Sequence, residues 1–515
     1  MTRTSVIIGG GIAGLATAAL LAEEGDSVTV LEALPATGGR AGSWEHDGFR
    51  FDTGPSWYLM PEVFEHFFQL LGTSAAAELD LVRLDPAYRV YSADAAPLDV
   101  VSGRAEAIAL FESVEPGAGA RVDAYLDSAA DAYELAVTKF LYDPYSSTEG
   151  LRDPELVRRL PQLAPLLLRP LSSLIDSKFT DRRLRQILGY PGVFLGGSPY
   201  GMPSLYHLMS HLDLDDGVLY PRGGITEVIA AIQRLAEARG VRVETGARVT
   251  RILTQAGKAT GVRLQDGRIL RADHVVSTAD LHHTEMELLD ESERTHSEGW
   301  WKRRTPSFGA MLLLLGVRGE LPQLAHHTLV FTEDWKANFD AIFGKNPHVP
   351  DPASIYVCRP SATDDTVAPE GFENLFVLVP VPADPDSGRG GVDGAGAPAI
   401  EAAADRVIAQ IAETCGIPDL AERIVVRRTI SPEDFAVDLS SWRGNALGLA
   451  HTLTQSAVFR TRNASRRVSG LSYAGGSVLP GVGLPMCLIS AELVVKRLRG
   501  DSTPGPLAEP VRATG

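Results

Sequence analysis

The sequence predicts an α/β fold built around a Rossmann-like, dinucleotide-binding unit, with an α+β substrate region inserted between its parts. Three observations carry this. Ser5-Val6-Ile7-Ile8 runs directly into Gly9-Gly10-Gly11-Ile12-Ala13-Gly14. Val28 to Leu31 is a second short apolar run, and it ends in Glu32. At the far end, Tyr473-Ala474-Gly475-Gly476-Ser477 leads to Pro480-Gly481-Val482-Gly483-Leu484-Pro485. One site is thus expected to be assembled from both ends of the chain.

The first element is a buried parallel strand at Val6-Ile7-Ile8, too short and too apolar for a solvent-facing one. Gly9 makes the tight turn, Gly11 lets the backbone approach a pyrophosphate, and Gly14 lets the next helix pack on the sheet. That helix, about Ile12 to Glu24, is rich in Ala and Leu and stops at Gly25. Its N-terminus, from Ile12 and Ala13 onward, offers unpaired N–H groups and a positive dipole end to phosphates. Glu32, closing the second strand, can accept both ribose hydroxyls and would repel a 2′-phosphate. Strand before, helix after and the carboxylate at the right interval together point to an adenine dinucleotide.

Gly38-Gly39-Arg40 follows, then Gly48 and Phe51-Asp52-Thr53-Gly54-Pro55-Ser56. Arg222-Gly223-Gly224 precedes an amphipathic helix from about Thr226 to Ala238, and Val241 to Val249 reads as strand, turn and strand. Asp273 to Thr278 reads as another strand. The two long insertions, about 83–219 and 307–441, contain apolar runs at Met311 to Leu315 and Leu375 to Val381, suited to walling a tunnel. Leu160 to Ile175 combines Leu163, Leu166, Leu167, Leu168, Leu171 and Leu174 with Arg158, Arg159 and Arg169. That pattern suits either a segment dipping into a lipid interface or a core helix, and Pro161, Pro165 and Pro170 are expected to break it into short pieces.

Composition sets bounds. A chain of 515 residues exceeds one compact core. Its 44% hydrophobic and 22% charged residues are those of a globular protein, and its net charge of −17 excludes general nucleic-acid binding. Cys358, Cys415 and Cys487 are far apart, with neither a metal-ligand spacing nor a disulfide framework, which suggests a reducing cytoplasm and no metal. No secretory signal is visible, and no apolar run reaches the roughly 20 residues of a spanning helix. The expected division is 1–82, 220–306 and 442–500 for the nucleotide unit and 83–219 plus 307–441 for the substrate-binding and helical, membrane-associating region. Residues 501–515 are expected to be a flexible tail.

The Gly-Gly-Arg and Asp-x-Gly-Pro segments after Glu32 resemble the extended signature of the flavin amine oxidase/GDI-like superfamily. Nearly end to end, the chain also resembles the bacterial phytoene desaturases of the FAD-dependent carotenoid desaturase family. Leu195-Gly196-Gly197-Ser198-Pro199, Tyr220 to Gly224, Ala325-His326-His327-Thr328, Thr454 to Arg460 with Asn463, and the closing glycines carry that resemblance. It implies non-covalent FAD, held by Gly39 and Arg40 near the pyrophosphate and by Gly54, Pro55 and Ser56 near the flavin. Val249 would meet the adenine with its backbone, while Gly475 and Ser477 would lie at the phosphates and ribityl chain. The helix from Leu484, Pro485 and Met486 would aim its positive end at the flavin pyrimidine.

The implied activity is desaturation of phytoene to more conjugated carotenes such as lycopene, by successive hydride transfers to flavin. The implied partners are a long polyene, a membrane surface to which a cytoplasmic protein attaches peripherally, and quinone or oxygen as electron acceptor. Asp153 and Arg158 are the candidates for cation stabilisation or proton removal; His326 and His327 are read as structural. Two departures from the family pattern, Leu479 in place of a His and Met486 in place of a Gly, bear on product outcome. Competing readings are a related carotenoid or apocarotenoid desaturase or ketolase, a non-catalytic prenyl-lipid-binding protein, and an amine oxidase.

Overall fold

The computed structural model describes residues 2–146 and 154–511. A five-stranded parallel sheet takes its strands from the whole length of the chain, in the order Leu471–Tyr473, His274–Ser277, Thr4–Ile8, Ser27–Leu31, Arg242–Glu244. Alternation explains why these short runs are apolar throughout. Ile7, Val28, Val30 and Val276 pack under the helices Ile12–Glu23, Ile225–Ala238 and Leu484–Arg499. Val6, Ile8, Leu31 and Val275 face an antiparallel three-stranded layer, Val249–Gln255, Lys258–Leu264 and Ile269–Arg271. Both faces are covered, as a parallel sheet requires.

The insertions build a seven-stranded mixed sheet around two ten-residue strands, Gly309–Arg318 and Phe372–Val381, paired antiparallel. Period-two alternation sorts their side chains. Met311, Leu313, Leu315, Leu375, Val377 and Val379 pack against the helix Pro398–Cys415. Ala310, Leu312, Phe376 and Leu378 point the other way, into a cavity. The chain crosses between the two sheets on a two-stranded link, Leu81–Arg83 with Leu219–Pro221.

Two expectations are corrected. Pro161 and Pro165 do not break their segment: one helix, Pro154–Leu168, runs through both, and the chain bends only at Pro170, before Leu171–Asp176. Both prolines are exposed, on the side of the helix away from the cavity-lining Leu163 and Leu167. The segment expected to be a loose tail is packed through Val511. Val511 N donates to Leu70 O at 2.9 Å, and Leu507 N donates to Glu492 Oε1 at 2.5 Å. Buried Lys496 binds the carbonyls of Tyr142 and Thr503, and Leu507 and Val511 are themselves buried. Short apolar anchors inside a polar stretch gave no periodic signal.

Candidate active site

One cavity of about 670 Å³ extends from the first glycine turn to the mixed sheet. Of the seventeen residues the sequence proposes for the cofactor, sixteen line it: Gly9, Gly11, Ile12, Ala13, Glu32, Gly39, Arg40, Gly54, Pro55, Ser56, Val249, Gly475, Ser477, Leu484, Pro485 and Met486. The exception, Gly14, has a packing role. A Cβ there would lie 2.0 Å from Gly9 O, so only glycine lets the helix seat on the turn. Gly11 is the opposite case. Its Cβ would meet nothing nearer than Gly38 O at 3.7 Å, so the chain's own packing does not require glycine there and the space in front belongs to the cavity.

The Ile12–Glu23 helix has no side-chain cap and no acidic residue in its first turn, and the same holds for Leu484–Arg499. Two helix N-termini with free N–H groups therefore open onto one cavity from opposite ends of the chain, a setting for anionic or electron-rich groups. Glu32 is nearly buried. Its carboxylate accepts from Gly10 N at 2.6 Å and Leu34 N at 2.8 Å, so it braces the glycine turn as well as facing the cavity. Arg40 donates to Ser441 Oγ at 2.6 Å and lies 3.8 Å from Asp280, while its buried Nε has no partner. Asp52 holds the Asp-x-Gly-Pro loop in place by capping another helix, accepting from Ile225 N at 2.7 Å and Thr226 N at 3.2 Å.

Several residues that build the site carried no role in the sequence reading. Buried Arg460 donates to Val478 O at 3.1 Å and to Gly476 O, fastening the closing loop; burial lowers its pKa to about 10. Asn463 donates to Leu479 O at 3.0 Å and meets Ser490 Oγ at 2.9 Å, which in turn accepts from Gly475 N. Leu479 and Met486, the two departures noted in sequence, both line the cavity.

The far part of the cavity is different in kind. Among the described residues, its lining from 132–212 and from 308–380 carries no charged side chain. Trp57, Tyr190, Phe194 and Tyr356 form an aromatic wall, with Trp57 and Phe194 ring centroids 5.1 Å apart. The Pro154–Leu168 helix covers one side, with Leu163 and Leu167 on the lining, while Leu160 and Leu168 are 51% and 75% exposed. Leu171 and Ile175 are core, so the leucine-rich stretch divides between cavity, surface and core. Arg158, a proposed catalytic residue, is exposed and does not line the cavity. At 3.6 residues per turn it stands about 140° and 180° around the helix from Leu163 and Leu167. Asp153 lies outside the described residues. His326, His327 and Cys358, which sequence spacing left unconnected, are brought together by strand pairing: His327 opposes Cys358, and a ring nitrogen of each histidine lies within 4.8 Å of the sulfur.

The flavin containing amine oxidoreductase family matches residues 12–310, more than half of the chain. The chain belongs to that family. A carotenoid 3,4-desaturase of Haloarcula japonica is 41% identical over 96% of this chain and 98% of its own length. A zeta-carotene-forming phytoene desaturase of Myxococcus xanthus is 38% identical over 96% of this chain and 94% of its own. The fold is also that of a putrescine oxidase solved with putrescine, at TM-score 0.61 and 16% identity, covering 97% of this chain and 99% of the other. This family member is an FAD-dependent oxidoreductase acting on CH–CH groups. The residues fit the cofactor: an open glycine cradle at Gly11, two uncapped helix N-termini, and an unpartnered guanidinium nitrogen on Arg40. Among the described residues no helix is long and apolar enough to cross a membrane.

Proposed function

We propose that this protein desaturates phytoene, a long polyene hydrocarbon, to more conjugated carotenes such as lycopene in carotenoid biosynthesis. The observation that carries the reading is the split character of the cavity: charged and glycine-rich at one end, apolar and aromatic at the other. A hydrocarbon has no group for a charged side chain to hold, so its site must work by shape and exclusion of water. The names of the relatives, both carotenoid desaturases, favour the same substrate class.

In this reading the unit formed by 1–82, 220–306 and 442–500 binds FAD, and 83–219 with 307–441 binds the polyene. Bound FAD would supply the acceptor for a hydride from an allylic C–H bond. The protein's own contributions are specific. Gly11 and the Ile12–Glu23 helix terminus cradle the pyrophosphate, with Gly39 and Arg40 beside it and Glu32 at the ribose. Gly475 and Ser477 lie at the phosphates and ribityl chain, Gly54, Pro55 and Ser56 border the flavin, and the Leu484–Arg499 terminus, with Met486 in its first turn, favours negative charge there. Leu312, Phe376, Leu378 and the aromatic wall align the chain of double bonds and keep water out.

Membrane attachment belongs to the same proposal. A polyene of this size is essentially insoluble in water, and the helix that covers the cavity exposes Leu160 and Leu168. The substrate would then pass from the bilayer beneath that helix, and a membrane quinone or oxygen would reoxidise the flavin. The test is incubation with phytoene in liposomes, anaerobically with and without a quinone and separately in air, followed by pigment chromatography. Coloured carotenes formed with the quinone support the reading; unchanged phytoene under both quinone and aerobic conditions refutes it.

A further inference from the structure

Desaturation has a second half that the apolar cavity leaves open. When one carbon has lost a hydride, its neighbour must lose a proton, whose bonding pair becomes the new double bond. The cavity end that holds the polyene carries no carboxylate on its described lining. A buried chain of hydroxyls and imidazoles does start on that wall. Ser56 Oγ and Tyr356 Oη are 2.6 Å apart, and both residues line the cavity. Tyr356 Oη is 2.7 Å from His327 Nδ1. His327 is fully buried, stacked on Trp57 at 4.3 Å, and its Nε2 has no partner. The neighbouring His326 ring is 4.6 Å away, and its buried Nε2 is likewise unpartnered. On its other side, His326 Nδ1 is 2.8 Å from Thr363 Oγ1, on a half-buried turn.

We propose that Ser56, Tyr356, His327, His326 and Thr363 form a proton relay that carries the substrate proton from the cavity wall to the protein surface. The inference rests on the desaturase reading above. Its polarity is consistent at every junction. Ser56 donates to Tyr356, and Tyr356 donates to His327 Nδ1, which leaves the His327 proton on Nε2. His326 in turn keeps its proton on Nδ1, donates it to Thr363, and offers Nε2 as acceptor. The two unpartnered nitrogens are then one donor and one acceptor, and a bridging water between the two rings would complete the chain. In the step, the substrate proton goes to Ser56 Oγ and each member passes its own proton onward. The C–H electron pair stays on the substrate as the π bond, and one proton leaves at Thr363. Burial holds both imidazoles neutral, His326 down to about 3, so neither traps the proton as a stable cation.

Three measurements test this, beginning with 15N NMR of histidine-labelled holoprotein, which needs no turnover. His327 is expected as the Nε2–H tautomer, with its Nδ1 signal displaced in Tyr356→Phe. The opposite tautomer, or an unmoved signal, overturns the relay whether or not phytoene is the substrate. In turnover on phytoene, Tyr356→Phe and His327→Leu should lower kcat at least tenfold, with KM within twofold and flavin content unchanged. Thr363→Val, at the outer end and least able to disturb folding, should lower kcat about threefold. In mixtures of H2O and D2O, the wild-type rate should show a curved, many-proton dependence that Tyr356→Phe abolishes. Full activity in Tyr356→Phe, or no solvent isotope effect in the wild type, overturns the proposal. So does stoichiometric zinc in the purified protein, because His326, His327 and Cys358 would then be a ligand set. Wild-type protein that fails to desaturate phytoene but shows the expected tautomers counts against the substrate reading alone.

Discussion

Removing the Glu32 carboxylate tests the site where fold and cofactor meet. The side chain accepts two backbone N–H bonds, from Gly10 at 2.6 Å and Leu34 at 2.8 Å, in nearly buried surroundings. Hydrogen bonds to a charged group contribute about 1.5–3 kcal/mol each. Glu32→Ala should therefore destabilise the apoprotein by about 3–6 kcal/mol, before any cofactor is considered. Loss of a ribose contact should then weaken FAD binding by a further 1.5–3 kcal/mol or so, about 10- to 100-fold. Urea unfolding of the apoprotein measures the first effect and flavin titration the second. An unchanged apoprotein midpoint would show that the carboxylate does not brace the turn. Unchanged flavin affinity would refute its place at the ribose.

Gly14→Ala puts a methyl group 2.0 Å from Gly9 O, so the helix must lift off the turn; the purified variant should carry little flavin, and a normal flavin spectrum would defeat the packing argument. Leu160→Ser with Leu168→Ser should reduce liposome flotation and carotene turnover together while flavin content stays normal, and persistent flotation would place the membrane-facing surface elsewhere. Asp213, buried between the hydroxyls of Tyr88 and Tyr190, has its pKa raised to about 7 by desolvation. The folded state thus binds a proton that the unfolded chain releases near pH 4. Stability from this group is present below pH 4 and falls by up to about 4 kcal/mol as pH rises to 7. Asp213→Asn should flatten that part of the profile in urea unfolding at pH 4.5 and pH 7; an identical slope would contradict it.

The nucleotide turn was legible because its causes are local. A strand short enough to be buried, glycines at fixed offsets, a helix start and a carboxylate at the end of the next strand all lie within Ser5 to Glu32. The closing segment was legible as glycine-rich, and the apolar runs at Met311 to Leu315 and Leu375 to Val381 as walls. Which side chains face the cavity depends on strand register, and register is set by pairing across 60 or so residues of intervening chain. Met311 and Leu312 look alike in sequence, yet one packs under a helix and the other meets the cavity.

Tertiary structure alone decided the rest. Arg460, Asn463 and Ser490 shape the closing loop through bonds to backbone atoms up to 18 positions away and to one another, which no periodicity announces. His327 and Cys358 become neighbours only through antiparallel pairing, and Tyr356, two register positions away, turns a structural-looking histidine pair into a chain reaching the cavity. Pro161 and Pro165, breakers by intrinsic preference, stay within one helix, on its exposed side, while the opposite side covers the cavity. Sequence determined that a dinucleotide is bound and by which turn, since backbone conformation and helix termini follow from adjacent residues. Packing decided what stands opposite it, because burial and contact belong to surfaces that exist only once distant segments have met.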